Sequence, residues 1–181
     1  MGRSDRPTFE EYLDCNELAF EWARSYDEKD WDRLSRMLAP TVKVNYSGVN
    51  NSQADDMPAA DFVAMMKNPL FLGDKNIDSQ HMLGLAKWEK ISDTEIVSQH
   101  QSRAAHMRWN EGRDRIAAKG HGHGLVKMTY RKVDGEWKWA GIATKVDFNE
   151  HEFERVFVGS AGKFDKKGNL MENGTEAAVA A

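Results

Sequence analysis

The stretch from residue 116 to residue 132 alternates its side chains so regularly that it predicts one long β-strand. One parity holds Ile116, Ala118, Gly120, Gly122, Gly124, Val126, Met128 and Tyr130, and the other holds Lys119, His121, His123, Lys127, Thr129 and Arg131, with Leu125 as the exception. Successive side chains of a strand point to opposite faces, so the strand has one buried and one polar face. Glycine inside a strand often marks a bend or the close approach of another segment. We therefore expect a strongly curved sheet.

Three other stretches have strand character, near residues 79–91, 94–108 and 136–147. Ser92-Asp93 marks a turn between the first two, and Val133-Asp134-Gly135 joins the last to the strand described above as a hairpin. The second half of the chain is thus predicted to be a meander of long strands.

Three helices are predicted ahead of these strands. A capping box of Thr8 and Glu11 begins the first helix, which is expected to end at about Asp27. Its inner stripe is predicted to consist of Phe9, Leu13, Phe20, Ala23 and Asp27, which follow helical spacing. The second helix carries Trp31, Leu34 and Leu38 and ends at Pro40.

Between the second and third helices, Val42, Val44 and Tyr46 alternate with polar residues, as in a short strand. The polar stretch from Ser47 to Asp56 is predicted to be a loop. Pro58 suits the first turn of the third helix, whose apolar side holds Phe62, Met65 and Met66.

Near the end of the chain, Glu150–Val158 is predicted to form a short helix with Phe153 and Phe157 on one face. We expect a single domain over residues 1–160 and a flexible tail over residues 161–181, which are rich in Gly, Lys, Glu and Ala. Helices followed by a strand meander predict an α+β fold, with the helices covering one face of a mixed or antiparallel sheet.

Charge and cysteine content exclude several classes of function. The net charge is −4, and no basic stripe offsets it, so nucleic acid is not an expected partner. The lone Cys15 rules out an internal disulfide framework and fits a reducing compartment. No segment approaches the roughly 20 apolar residues of a membrane span, and the first residues lack the apolar core of a signal peptide. A soluble, cytoplasmic protein is expected.

An aspartate on an apolar stripe and two strand histidines indicate a catalytic pocket. Acids are rarely buried without a partner, so Asp27 suggests a paired carboxylate. His81 and His106 are suited to moving a proton near neutral pH, and Tyr26 and Tyr46 lie close to this set in the pattern. Each residue also has an ordinary structural explanation, as a partly exposed helix end or as a core side chain.

Other chemistries find less support in the sequence. His121 and His123 could ligate a metal together, but no third ligand has a convincing spacing, so no metal is predicted. Nucleophile-elbow, phosphate-loop and zinc-ligand motifs are absent from the sequence. The six tryptophans fit either a packed core or an aromatic pocket for a flat ligand. A site that works by proton transfer leaves three classes, namely lyase, isomerase and binding module.

The run EWARSYDEKDWDRL at residues 21–34 resembles the first-helix motif of the scytalone dehydratase family. The resemblance spans about residues 8–158 and includes Met57-Pro58-Ala59, Leu72-Gly73-Asp74, Gln80-His81, Lys119-Gly120-His121 and Phe153-Glu154-Arg155-Val156-Phe157. It implies a cone-shaped α+β barrel of the cystatin-like type, shared with ketosteroid isomerase and nuclear transport factor relatives. It also implies a homotrimer that works without a cofactor.

The resemblance assigns roles to particular residues. The catalytic set falls on Tyr26, Asp27, Tyr46, His81 and His106, and family pocket positions fall on Trp22, Met65, Phe153 and Phe157. By analogy, His106 would be oriented by Asp27, remove the proton next to a carbonyl and protonate the departing hydroxyl. Tyr26 and Tyr46 would hold a water that stabilises the enolate-like charge, and His81 would orient water.

Two departures from the family bear on the substrate. Where the family has a serine beside the catalytic histidine and an asparagine that contacts the substrate, this chain has Gly124 and Val126. A pocket that loses two polar contacts suits a less polar, bulkier natural product than scytalone. We therefore expect a dehydratase acting on a hydroxy-ketone of polyketide or meroterpenoid type. An isomerase or cyclase using the same proton transfer is the alternative, and a non-catalytic small-molecule binding module is the third possibility.

Overall fold

A computed structural model describes residues 5–157 as four helices and one six-stranded sheet. The elements in chain order are α1 (Phe9–Glu28), α2 (Trp31–Met37), β1 (Leu38–Asn45), β2 (Gln53–Pro58), α3 (Ala59–Lys67), β3 (Ile77–Ser92), β4 (Glu95–Trp109), β5 (Ile116–Val133), β6 (Glu136–His151) and α4 (Phe153–Val156). Within residues 5–157, no helix has both the length and the hydropathy needed to cross a bilayer.

The strand order is β2-β1-β6-β5-β4-β3. β1 runs parallel to β6, and every other neighbouring pair is antiparallel, so the sheet is mixed. Irregularities in register interrupt all five pairings, and such irregularities increase local twist and bending. The predicted α+β fold with a curved mixed sheet is confirmed.

Helix α1 begins as predicted but buries a different stripe. Thr8 and Glu11 form the capping box, each side chain accepting a hydrogen bond from the other residue's backbone N–H. The buried positions are Cys15, Ala19, Trp22, Ala23, Ser25 and Tyr26. The prediction that Phe9, Leu13 and Phe20 face the core is wrong, since they are 68%, 47% and 61% exposed. Two apolar stripes lie side by side on this helix, and the one carrying the larger Trp22 and Tyr26 packs inward.

The stretch around Pro40 corrects two predicted boundaries. Helix α2 ends at Met37, and both Leu38 and Pro40 belong to β1. Proline fits in this strand because the pairing with β6 is interrupted between Leu38 and Lys43, where no ladder donor is required. The predicted loop at 47–56 contains the start of β2, a polar edge strand without the alternation that would have identified it.

Glycines in the long strand were predicted to mark a bend or a close approach, and one such approach joins β5 and helix α4. A Cβ atom on Gly120 would lie 2.4 Å from Cα of Phe153, so helix α4 packs directly on the β5 backbone. Strand β6 extends to His151, so Glu150 belongs to a strand and not to the terminal helix. The predicted boundary at residue 160 and the tail at 161–181 lie outside the described residues.

Candidate active site

A cavity of about 110 Å³ lies between helix α1, the inner face of the sheet and helix α4. Nine of the predicted site residues line it, namely Trp22, Tyr26, Tyr46, His81, His106, Gly124, Val126, Phe153 and Phe157. Met65 does not line this cavity, because α3 packs its side chain into the core, where it is 3% exposed. Asp27 reaches the site indirectly, through His81.

The two tyrosines form a buried pair of hydroxyls. Tyr26 in the last turn of α1 and Tyr46 just after β1 place their hydroxyl oxygens 3.1 Å apart. Burial raises the pKa of both phenols above the ordinary value. Both therefore stay protonated at neutral pH, so one hydroxyl proton can bond the other tyrosine and the second remains available to the cavity.

Asp27 pairs with His81 through both the backbone and the side chain of that histidine. Its Oδ1 accepts hydrogen bonds from the backbone N–H of His81 at 2.9 Å and from Nδ1 of the ring at 2.8 Å, while Oδ2 accepts from the same backbone N–H at 3.1 Å. The Asp27 side chain is only 7% exposed. A carboxylate on Nδ1 fixes the tautomer of the ring and leaves Nε2 for the cavity.

His106 is oriented by Ser79, so the expected Asp27–His106 pair is wrong. Nδ1 of His106 lies 2.8 Å from the Ser79 hydroxyl oxygen. The sheet register explains the partner, because Ser79 on β3 is directly opposite His106 on β4. Helix α1 packs over β3, so its Asp27 meets His81, two residues further along that strand.

Three other rings surround the imidazole of His106. Its ring lies 5.9 Å from the ring of Phe153, 4.8 Å from that of Phe157 and 5.5 Å from that of His81, measured between centroids. Burial, with smaller contributions from nearby His81 and Lys29, lowers the pKa of His106 well below its ordinary value of 6.5. The ring is therefore neutral at physiological pH and able to accept a proton.

Several further residues around the cavity were not among the predicted site residues. Ser102, Thr144 and Asn149 line it from two different strands, and Gly48 and Val49 line it from the turn after β1. Strand spacing assigns Ser102 to the same face as His106, because it lies four residues away on β4, and the structure places it there. Asn149 lies on the part of β6 that was predicted to follow the strand, so no pattern identified it.

Gly124 is required by the backbone and does not simply enlarge the cavity. A Cβ atom at this position would lie 1.9 Å from the carbonyl oxygen of Lys145 on β6. The register between β5 and β6 shifts beside it, between His123 and Gly124. A serine here would displace the neighbouring strand, whereas Val126 opposite Thr144 adds an apolar surface without such a contact.

Comparison with known proteins identifies relatives of the same fold. A family model described as scytalone dehydratase matches residues 6–164. Scytalone dehydratase arp1 of Aspergillus fumigatus is 48% identical over 150 residues, covering 82% of this chain and 89% of that protein. Dehydratase AgnL8 of Paecilomyces divaricatus is 39% identical over 168 residues, covering 92% and 97%. A solved structure from Kribbella flavida has a TM-score of 0.69 at 14% identity, covering 80% of this chain and 95% of that one.

Proposed function

Because the chain belongs to the scytalone dehydratase family, we propose that it removes water from a hydroxy-ketone intermediate of polyketide or meroterpenoid type, without a cofactor. Membership in this family makes it a dehydratase, and therefore a lyase, of secondary metabolism. The observation that carries the finer proposal is the meeting of two histidines and two tyrosines in one largely apolar cavity. A protein that only bound a ligand would have no use for this set of proton-transfer groups.

His106 is the proposed base. With its Nδ1–H bonded to Ser79, Nε2 removes the proton from the carbon next to the carbonyl, and the electron pair moves onto the carbonyl oxygen. As the electrons return, the bond to the β-hydroxyl breaks, and that oxygen takes the proton from His106 and leaves as water. The lowered pKa of His106 supports this role, because a neutral ring is ready to accept a proton.

The tyrosine pair is proposed to stabilise the enolate-like charge. Tyr26 and Tyr46 both keep their protons, and together they can hold a water that donates to the carbonyl oxygen. Donors fixed in advance, within a site that excludes bulk water, stabilise developing charge without reorganising. His81, held by Asp27, is proposed to orient water in the cavity through Nε2.

The proposed activity is tested by incubating the purified protein with scytalone and with an analogue that has fewer hydroxyl groups. We expect the loss of one water from each by mass spectrometry, with faster turnover of the less polar compound. A product of unchanged mass would assign the protein to the isomerases or cyclases, which share the proton-transfer step. Recovery of both compounds unchanged would contradict the hydroxy-ketone proposal.

The residue at position 126 is predicted to select between polar and apolar substrates. Replacing Val126 by asparagine offers a hydrogen bond to a substrate hydroxyl, so kcat/KM for scytalone should rise by about tenfold. Val126→Leu is the matched control, because leucine has the same branched shape as asparagine and carries methyl groups in place of the polar atoms. Equal responses of the two variants, measured by steady-state kinetics, would show that polarity at this position does not determine selectivity.

We also propose that the chain assembles as a homotrimer. The support is an apolar surface on α1 and the nearby part of β3. Phe20 is 61% exposed and Leu85 is 84% exposed, and the two line one groove. Exposed apolar patches of this kind usually mark interaction sites. Sedimentation equilibrium of the purified chain measures the mass of the assembly.

A further inference from the structure

We propose that His121, His123 and Glu150 form a binding site for a divalent transition metal of the zinc type, on the outer face of the sheet. These three residues are named the metal cluster. The sequence pattern indicated two possible ligands, the histidines, but no third. The fold places Glu150 beside them as the third. Glu150 lies directly opposite His121 in the β5–β6 pairing.

The ligand atoms of the cluster lie close enough together to bind one ion. Nε2 of His123 lies 3.1 Å from Oε2 of Glu150, and Nδ1 of His121 lies 3.4 Å from the same oxygen. The three potential ligand atoms all lie within 4.8 Å of one another. Tetrahedral ligands at zinc distances are separated by about 3.3–3.6 Å. Two histidines and one glutamate leave the fourth position for water.

Neighbouring rings hold the histidines in place. His123 stacks on Phe148 with ring centroids 4.5 Å apart and planes 9° apart, and His121 meets the edge of His151 at 5.0 Å. All three ligands come from two paired strands joined by a tight turn, so little ordering is needed on binding. Imidazole ligands favour zinc, nickel or copper over magnesium or calcium.

Arg103 on β4 is a cation that lies beside two of the three ligands of the metal cluster. Its Nη2 lies 2.6 Å from Nδ1 of His121 and 3.8 Å from Oε2 of Glu150. A guanidinium can only donate, so Nδ1 of His121 must present its lone pair there, which is the pair that a metal ligand uses. The Arg103 side chain is 47% exposed and can turn to solvent. Metal binding would replace Arg103 and the direct contacts of the two histidines with Glu150.

The metal cluster is distinct from the catalytic groups. Gly122 and Gly124, which alternate with these histidines along β5, line the cavity on the inner face, and the cluster meets the cavity wall at His123. A metal on the outer face would join β5 to β6 beside the register shift at His123/Gly124. Its expected effect is to stabilise the strand pair that forms this wall, by an amount that grows with the logarithm of the free metal concentration above the dissociation constant.

The test is calorimetric titration of the whole chain with zinc chloride, with thermal melting in parallel. We expect one zinc per chain and a rise in the melting temperature. Glu150→Gln should weaken binding by more than the roughly 10- to 100-fold that loss of an outer partner causes. Glu152→Gln is the matched control. It makes the same charge change two residues away, on a side chain that pairs with Arg155.

Two further variants make the outcome decisive. Arg103→Ala should strengthen zinc binding, because it removes the competing cation, whereas a purely structural role for the cluster predicts no gain. His106→Asn should leave the affinity unchanged, because the catalytic histidine lies on the other face. The proposal is overturned if zinc does not bind, or if Glu150→Gln and Glu152→Gln bind it equally. It is also overturned if binding is lost with His106.

Discussion

Replacement of His106 by asparagine is expected to lower kcat by about 10²- to 10⁴-fold, the range in which a general acid–base group contributes. Asparagine can keep a hydrogen bond to Ser79 and fill much of the space of the ring, but it cannot accept a proton at neutral pH. The fold should survive, because the change removes no backbone contact. Circular dichroism and thermal melting check that point, and steady-state kinetics measures the loss.

The pH profile separates loss of a base from loss of packing. The lowered pKa of His106 means that the neutral, active form persists below its ordinary value of 6.5. The acid limb of kcat/KM in the parent protein should therefore lie below pH 6.5, and it should disappear in the residual activity of the variant. His151→Asn, the same change at an exposed histidine, serves as control. Near-parental turnover in His106→Asn would refute His106 as the base.

Replacement of Asp27 by asparagine should lower kcat by about 10²-fold or more, through the wrong tautomer of His81. The carboxylate accepts from both Nδ1 and the backbone N–H of His81. An amide whose oxygen takes the place of Oδ2 keeps the 3.1 Å bond from the backbone N–H and turns its NH₂ group toward Nδ1, which must then give up its proton. Nε2 becomes a donor instead of an acceptor, and the water bonded to it must reorient to accept that hydrogen bond.

Asp32→Asn provides the control, since it makes the same change on the exposed side of α2. The imidazole ¹⁵N chemical shifts of His81 report the tautomer directly and would not respond to a merely structural role. If Asp27→Asn kept parental kinetics while the tautomer changed, His81 would have no part in the reaction. A changed melting temperature with an unchanged tautomer would point to a structural carboxylate.

Local patterns predicted most of the fold because each long strand carries its own alternation. The parity of β5 placed Val126 and Gly120 on the inner face, and the Thr8–Glu11 box placed the start of α1. Where two packing arrangements fit the same local pattern, the sequence did not decide between them. Helix α1 has two apolar stripes, and only packing against β3 and β6 selects the one with Trp22.

Partners across the sheet could not be predicted for the same reason. His81 and His106 both face the cavity, so either could have taken Asp27 by spacing alone. The register between β3 and β4 decides, because it sets Ser79 opposite His106. Glu150 was likewise unrecognised as a neighbour of His121, since their proximity depends on the far end of the β5–β6 pairing.

The end of α1 has a consequence for thermal inactivation. Tyr26 and Asp27 both lie in its last turn. The helix ends at Lys29, which has the left-handed conformation (φ 55°) and whose Nζ donates a hydrogen bond to the Leu72 carbonyl at 2.8 Å. Helix ends open more readily than the strands of a sheet. Fraying of this one turn would separate the tyrosine pair and the aspartate–histidine pair together. Activity would then disappear reversibly on warming, at a temperature below that at which the sheet melts.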